Sequence, residues 1–141
     1  LRIRAFARIF CYRIFLGFIE SICCGDVIVL YFIGWNDFLQ LDKDRLLDAM
    51  QQSWYAIYAY HGSSLVGTGR IISDGITNAY LYGLGVRPEY RGQGIGTEIT
   101  RLLRDYCREA KVHLQFFCEE ELVPYYENMG FKAFAVGMKN K

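Results

Sequence analysis

Three glycines, Gly92, Gly94 and Gly96, fall where the apolar spacing of the chain changes. Upstream, Asn78 to Val86 reads as a strand. Downstream, after Pro88, Ile95, Ile99, Leu102, Leu103 and Tyr106 recur at the spacing of one helix face running to about Ala110. The segment Arg91-Gly92-Gln93-Gly94-Ile95-Gly96 is therefore a loop that feeds a strand into a helix amino terminus. Unpaired N–H groups of a first helical turn point outward and the helix dipole favours negative charge. Glycine removes the Cβ atoms that would hold a phosphate away. Such a loop invites an anion, and a pyrophosphate suits it; the alternative is that the glycines only make a turn or a close helix–strand contact. A dinucleotide fingerprint would need G-x-G-x-x-G, but from Gly92 the sixth position is Thr97, and the Walker pattern of Gly-Lys-Ser/Thr is absent.

The remaining elements follow from local pattern. Arg4 to about Ile19 is rich in Phe, Ile and Tyr and reads as a strand, and Asp26 to Ile33 as a short helix. Asp42 can cap a helix carrying Leu46, Leu47 and Met50, ending near Ser53. Trp54 to Tyr60 and Leu65 to Ser73 form a hairpin about His61-Gly62-Ser63-Ser64, and Asp74-Gly75 turns the chain into the Asn78 strand. Val112 to Cys118 is a short strand, Glu120 to Asn128 a helix stopped by Gly130, and Phe131 to Gly137 a last strand. The fold class is α/β (α+β mixed): a mostly antiparallel mixed sheet flanked by helices.

The chain's 141 residues, 52% of them hydrophobic, suffice for one domain over 1–141 with a real core. A net charge of +1 from 16 basic and 15 acidic residues leaves no polybasic face for nucleic acid, so the expected partner is small. Cys11, Cys23, Cys24, Cys107 and Cys118 form no C-x-x-C pair and have no histidines at zinc spacing, so neither a disulfide framework nor a metal site is expected, and a reducing cytoplasm fits. Residues 9–33 superficially resemble a signal or membrane anchor, but Arg13, Glu20 and Asp26 interrupt them. A spanning helix needs about 20 mostly apolar residues, and a charge near its centre costs about 3 kcal/mol, so no membrane segment is expected. The chain opens on Leu1 rather than Met, which reads as a fragment lacking its true beginning.

Two stretches together carry a resemblance. Val86-Arg87-Pro88-Glu89-Tyr90-Arg91-Gly92-Gln93-Gly94-Ile95-Gly96 resembles the acetyl-CoA signature of the GNAT family of N-acetyltransferases, in which Arg or Gln is followed, after two residues, by Gly-x-Gly/Ala; Arg91, Gly94 and Gly96 match. Pro124-Tyr125-Tyr126-Glu127-Asn128-Met129-Gly130-Phe131 is similar to the family's second signature. The resemblance covers about residues 35–137, and residues 1–25 match poorly.

The resemblance implies acetyl-CoA as cosubstrate and a small amine or peptide as acceptor. It implies that the strand before the signature splays from its neighbour, that Leu84 and Val86 offer backbone to the pantetheine arm, and that the N–H groups of Arg91, Gly92, Gln93, Gly94, Ile95 and Gly96, with Thr97 beside them, hold the pyrophosphate. Leu84 and Val86 can also serve as core. Tyr126 matches the tyrosine that protonates the departing thiolate, while Tyr125 is expected to pack inward. Relatives often carry a carboxylate on the strand ahead of the signature, where this chain has Tyr82-Gly83-Leu84-Gly85. Glu119, Glu120 and Asp74 remain as bases acting through water, although Glu119-Glu120-Glu121 also suits a solvated helix start. His61 and His113 are read as strand residues without a catalytic role. The alternative to an enzyme is a catalytically silent acyl-CoA sensor or complex subunit, and exposed aromatics in the last strand could serve a homodimer.

Overall fold

The computed structural model describes residues 1–7, 40–138 and 140. Its five-stranded sheet has the order β1-β2-β3-β4-β5, with β1 Arg2–Ala7, β2 Tyr55–His61, β3 Ser64–Ser73, β4 Asn78–Val86 and β5 His113–Gln115. Strands β1 to β4 pair antiparallel, and β5 joins β4 in parallel. Helices α1 (Lys43–Gln51), α2 (Ile95–Glu109) and α3 (Val123–Glu127) complete a mixed α/β architecture.

Helix α1 starts where Asp42 takes the Arg45 N–H at 2.9 Å, as its capping position requires. Arg70, buried on β3, donates to the carbonyl of Ala49 and, at 3.3 Å, to Ser53 Oγ, fixing the end of α1 against the sheet. Its guanidinium lies 5.3 Å from the centre of the Tyr82 ring, and desolvation pushes its pKa down from the usual arginine value.

Helix α2 covers the opposite face. Ile95, Ile99, Leu103 and Cys107 are buried together with Ile57, Val66, Ile71, Ala79 and Leu81. Each large aliphatic side chain buried in this way contributes about 1.5–3 kcal/mol. The helix comes close because β3 is bare beneath it: a Cβ on Gly69 would stand 2.8 Å from Ile99 Cγ2, and one on Gly67 3.2 Å from Ile95 Cγ2.

Strand β4 holds its partner β3 throughout but is irregular. Thr68 faces Gly85 and Arg70 faces Tyr82, so Gly83 and Leu84 together oppose Gly69 alone. This is a bulge, and Gly83 supplies it at φ 60°. On its other edge β4 meets β5 only at Asn78, Ala79 and Tyr80. Residues 81–86 extend past the end of β5, so the two strands part before the glycine loop begins.

The structure departs from expectation at both ends. The first strand occupies 2–7, and its expected continuation, the 26–33 helix and the 9–33 stretch lie outside the described residues. Residues 131–137 form no strand. A strand exists only by pairing, and β5 offers them an edge just three residues long. Phe134, Val136 and Met138 there are exposed, and of the aromatics expected on a paired strand Phe131 instead packs against Phe116. Val112 to Cys118 contracts to β5, and the acidic helix divides into a 3-10 turn at Glu120–Leu122 followed by α3. Among the described residues no helix is long and apolar enough to cross a membrane.

Candidate active site

The loop leaving β4 is shaped by its own hydrogen bonds. Pro88–Tyr90 makes one 3-10 turn, and Arg91 donates its backbone N–H to Pro88 at 3.2 Å and its side-chain Nε to the Val86 carbonyl at 3.0 Å. The Arg91 side chain thus anchors the loop to the strand end. Gln93 reaches back to the Glu89 carbonyl at 3.4 Å.

Gly92 and Gly94 then take φ values of 72° and 79°, a conformation that side-chain-bearing residues rarely adopt. Gly94 caps α2, and Glu98 donates the first helical N–H back to it at 3.0 Å. Among the described residues the N–H groups of Gly94, Ile95, Gly96 and Thr97 donate to no backbone carbonyl. They make a concave group of donors at the positive end of a 15-residue helix. Nothing lies within 4 Å of where a Cβ would stand on Gly92 or Gly94, so a ligand can approach their backbone. The chemistry and the space both fit a pyrophosphate.

The adjoining β4 edge fits an extended amide chain. Among the described residues no strand pairs with this edge beyond Tyr80, and an arm with alternating N–H and C=O groups can pair there at residues 83–86. Leu84 and Val86 are half-buried against the core, so their side chains pack while their backbone lies at the parting of the strands. Val86 already lends its carbonyl to Arg91.

The two neighbouring tyrosines divide. Tyr126 is buried among Phe116, Phe131 and Tyr125, with ring centres 4.5, 6.2 and 5.0 Å away. Burial pushes its phenol up to about 12, with Tyr125 and Cys118 adding to the shift. It lines a cleft of about 220 Å³ between residues 114–118 and the segment 131–137. Tyr125, expected to pack inward, is exposed, and its hydroxyl lies 3.2 Å from Thr97 Oγ1 at the mouth of the N–H group. On a short helix consecutive residues point about 100° apart, so only one of the pair can face inward. Which one it is depends on how α3 docks. Arg104 sets that docking by donating to the Met129 carbonyl at 2.6 Å, after which Gly130 ends the turn at φ 85°.

The acidic candidates also separate. Asp74 takes the N–H groups of Ile76 and Thr77 at 2.8 and 2.9 Å and the Thr77 hydroxyl at 2.8 Å. These bonds hold its carboxyl below the usual range, and it sits in the β3–β4 turn, at the end of β4 remote from the loop. It is a turn residue. Glu119 is exposed and precedes the 3-10 turn, next to Cys118, which lines the cleft; Glu120 and Glu121 are exposed in that turn. His61 pairs with Tyr90 Oη at 3.2 Å, and His113 with Gln115 at 3.0 Å. Among the described residues no group of three His, Cys, Asp or Glu side chains could hold a metal.

Comparison with known proteins places this geometry. The sequence model of the Acetyltransferase (GNAT) family matches residues 27–131. Histone acetyltransferase TAP1 of Glycine max is 33% identical over 119 residues, covering 76% of this chain and 50% of that protein. N-alpha-acetyltransferase RimI of Mycobacterium tuberculosis is 32% identical over 122 residues, covering 84% of this chain and 75% of that protein. A predicted acetyltransferase of Clostridium acetobutylicum, solved with acetyl-CoA, superposes with a TM-score of 0.64 at 13% identity, covering 99% of this chain and 95% of that one. The chain thus spans half the length of its soybean relative.

Proposed function

The chain belongs to the GNAT acetyltransferase family, and from that premise we propose that it transfers acetyl from acetyl-CoA to a primary amine. The observation that carries this reading is that an edge of β4 at residues 83–86, which no described strand pairs, adjoins the N–H groups at Gly94 to Thr97, one for the pantetheine arm and one for the pyrophosphate. Leu84 and Val86 flank the arm, Gly92, Gln93, Gly94, Ile95, Gly96 and Thr97 form the phosphate end, and Arg91, whose N–H goes to Pro88 and whose Nε goes to Val86, braces the loop. A histone acetyltransferase and an N-alpha-acetyltransferase among the relatives favour a peptide amine over a free metabolite as acceptor. Unpaired Cys107 and Cys118 suit a reducing compartment such as the cytoplasm.

The bound thioester supplies an activated acetyl group. The acceptor attacks as a neutral amine, forming the C–N bond as the C–S bond breaks, and two protons must move. Tyr126 is the general acid: its phenol, held neutral by burial, gives its proton to the leaving thiolate and regains one from solvent. The proton lost by the new amide nitrogen passes to water, with Glu119 at the cleft's rim as the receiving carboxylate. The cleft beside Tyr126 admits the acceptor's amine end.

Calorimetric titration with acetyl-CoA, followed by thiol-release assays on peptides and small amines, tests the proposal; no binding at millimolar concentration would sink it. Tyr126→Phe is expected to lower kcat about 100-fold or more with little change in acetyl-CoA affinity. A second reading, a silent acyl-CoA sensor, is favoured by the absence of a carboxylate from Tyr82 to Gly85. A sensor binds acetyl-CoA equally well in both forms and releases no thiol with any amine.

A further inference from the structure

The family reading gives a task to one of the paired tyrosines and none to the other, yet Tyr125 is the one whose hydroxyl reaches the glycine loop. Its oxygen lies 3.2 Å from Thr97 Oγ1 and 3.2 Å from where a Cβ would stand on Gly96. Thr97 lies in the first turn of α2, and its N–H is one of the open donors. Among the described residues the two hydroxyls bond to each other alone, so one proton lies between them and the second is free to turn. Both are exposed, so the pair is wet before any ligand arrives.

Glycine at position 96 eases this approach, since a methyl group there would stand 3.2 Å from the Tyr125 hydroxyl and push it back by a few tenths of an ångström. The ring itself is held independently, edge-on to Tyr126 at 5.0 Å, and α3 is tied to α2 by Arg104. The hydroxyl is thus carried to the mouth of the N–H group by packing that does not depend on the hydroxyl. We propose that Tyr125 is a coenzyme-binding residue, its hydroxyl and that of Thr97 together donating to the phosphate held at the head of α2. This rests on the acetyl-CoA reading above and adds a second helix to the phosphate end of the site.

The test is calorimetric, on the folded chain. Tyr125→Phe keeps the ring contact and removes only the hydroxyl, and Thr97→Val removes its partner. Because hydrogen bonds to charged groups are the strong ones, each variant should bind acetyl-CoA about tenfold more weakly, and the double variant should lose less than the product of the two. Binding of S-acetylpantetheine, which lacks the pyrophosphate, should stay within twofold of wild type in all three, and the melting point without ligand should not move. Unchanged acetyl-CoA affinity in Tyr125→Phe, or an equal loss toward both ligands, would overturn the assignment while leaving the family reading intact. Failure of the wild-type chain to bind acetyl-CoA would instead remove the reading on which it rests.

Discussion

Enclosure by Phe116 and Phe131 leaves the Tyr126 phenol poorly solvated as an anion, and its pKa rises from an ordinary value of about 10 to about 12. The folded protein therefore keeps a proton between these two values that the unfolded chain has lost. Stability from this group is complete below about pH 10 and falls as pH climbs toward 12, and Tyr126→Phe should flatten that alkaline fall in denaturant titrations at successive pH values. For the same reason no loss of turnover below pH 10 should trace to this phenol, so an alkaline limb near neutrality that vanished in Tyr126→Phe would contradict the assignment. Much of the residue detail was legible beforehand. Gly92, Gly94 and Gly96 stand out because left-handed backbone at the first two and close approach at the third restrict the residue type. That Tyr126 rather than Tyr125 packs inward was not legible, because their identity is the same and their difference lies in the rotation of α3. Asp74 is a candidate base in sequence because a turn-capping carboxylate looks the same there as a free one, and only its bonds to Ile76 and Thr77 show it engaged in the turn.

At the scale of elements, the position of α2 decides whether the loop functions at all. The helix rests on Gly67 and Gly69, where any side chain would meet Ile95, Ile99 or Leu103. Gly69→Ala should cost about 1–3 kcal/mol, read as a lower denaturation midpoint, because the methyl group overfills a packed contact. It should also weaken acetyl-CoA binding by shifting the amino end of the helix; full affinity in a destabilised variant would show that loop and helix are less tightly linked than this packing implies. Helix α2 was evident from its apolar period, and β2 to β4 from alternation and turn residues. The bulge at Gly83-Leu84 was not, because an extra residue in one strand becomes visible only opposite its partner. The expected strand at 131–137 failed for a related reason: its composition suits a strand, but composition does not supply an edge to pair with.

Across the whole molecule, the sheet is firmly laced from β1 to β4 and held to β5 by three residue pairs. Fold class and the element order from α1 to α3 could be read ahead of the structure because each depends on local pattern, whereas the short β4–β5 overlap depends on how the crossover through α2 returns the chain. That overlap also governs how the protein breathes. Amides at residues 83–86 that face the gap pair with no described strand there and should exchange with deuterium in seconds, while those of β2 and β3 persist. A pantetheine arm laid into the gap would act as a splint, slowing exchange at Leu84 and Val86 and across β5. Adenosine 3′,5′-bisphosphate, which has no arm, should leave the gap's exchange fast. If the coenzyme enters where we propose, the same missing lacing that would admit it makes the empty protein loosest at that edge, and each turnover would alternately close and reopen the seam.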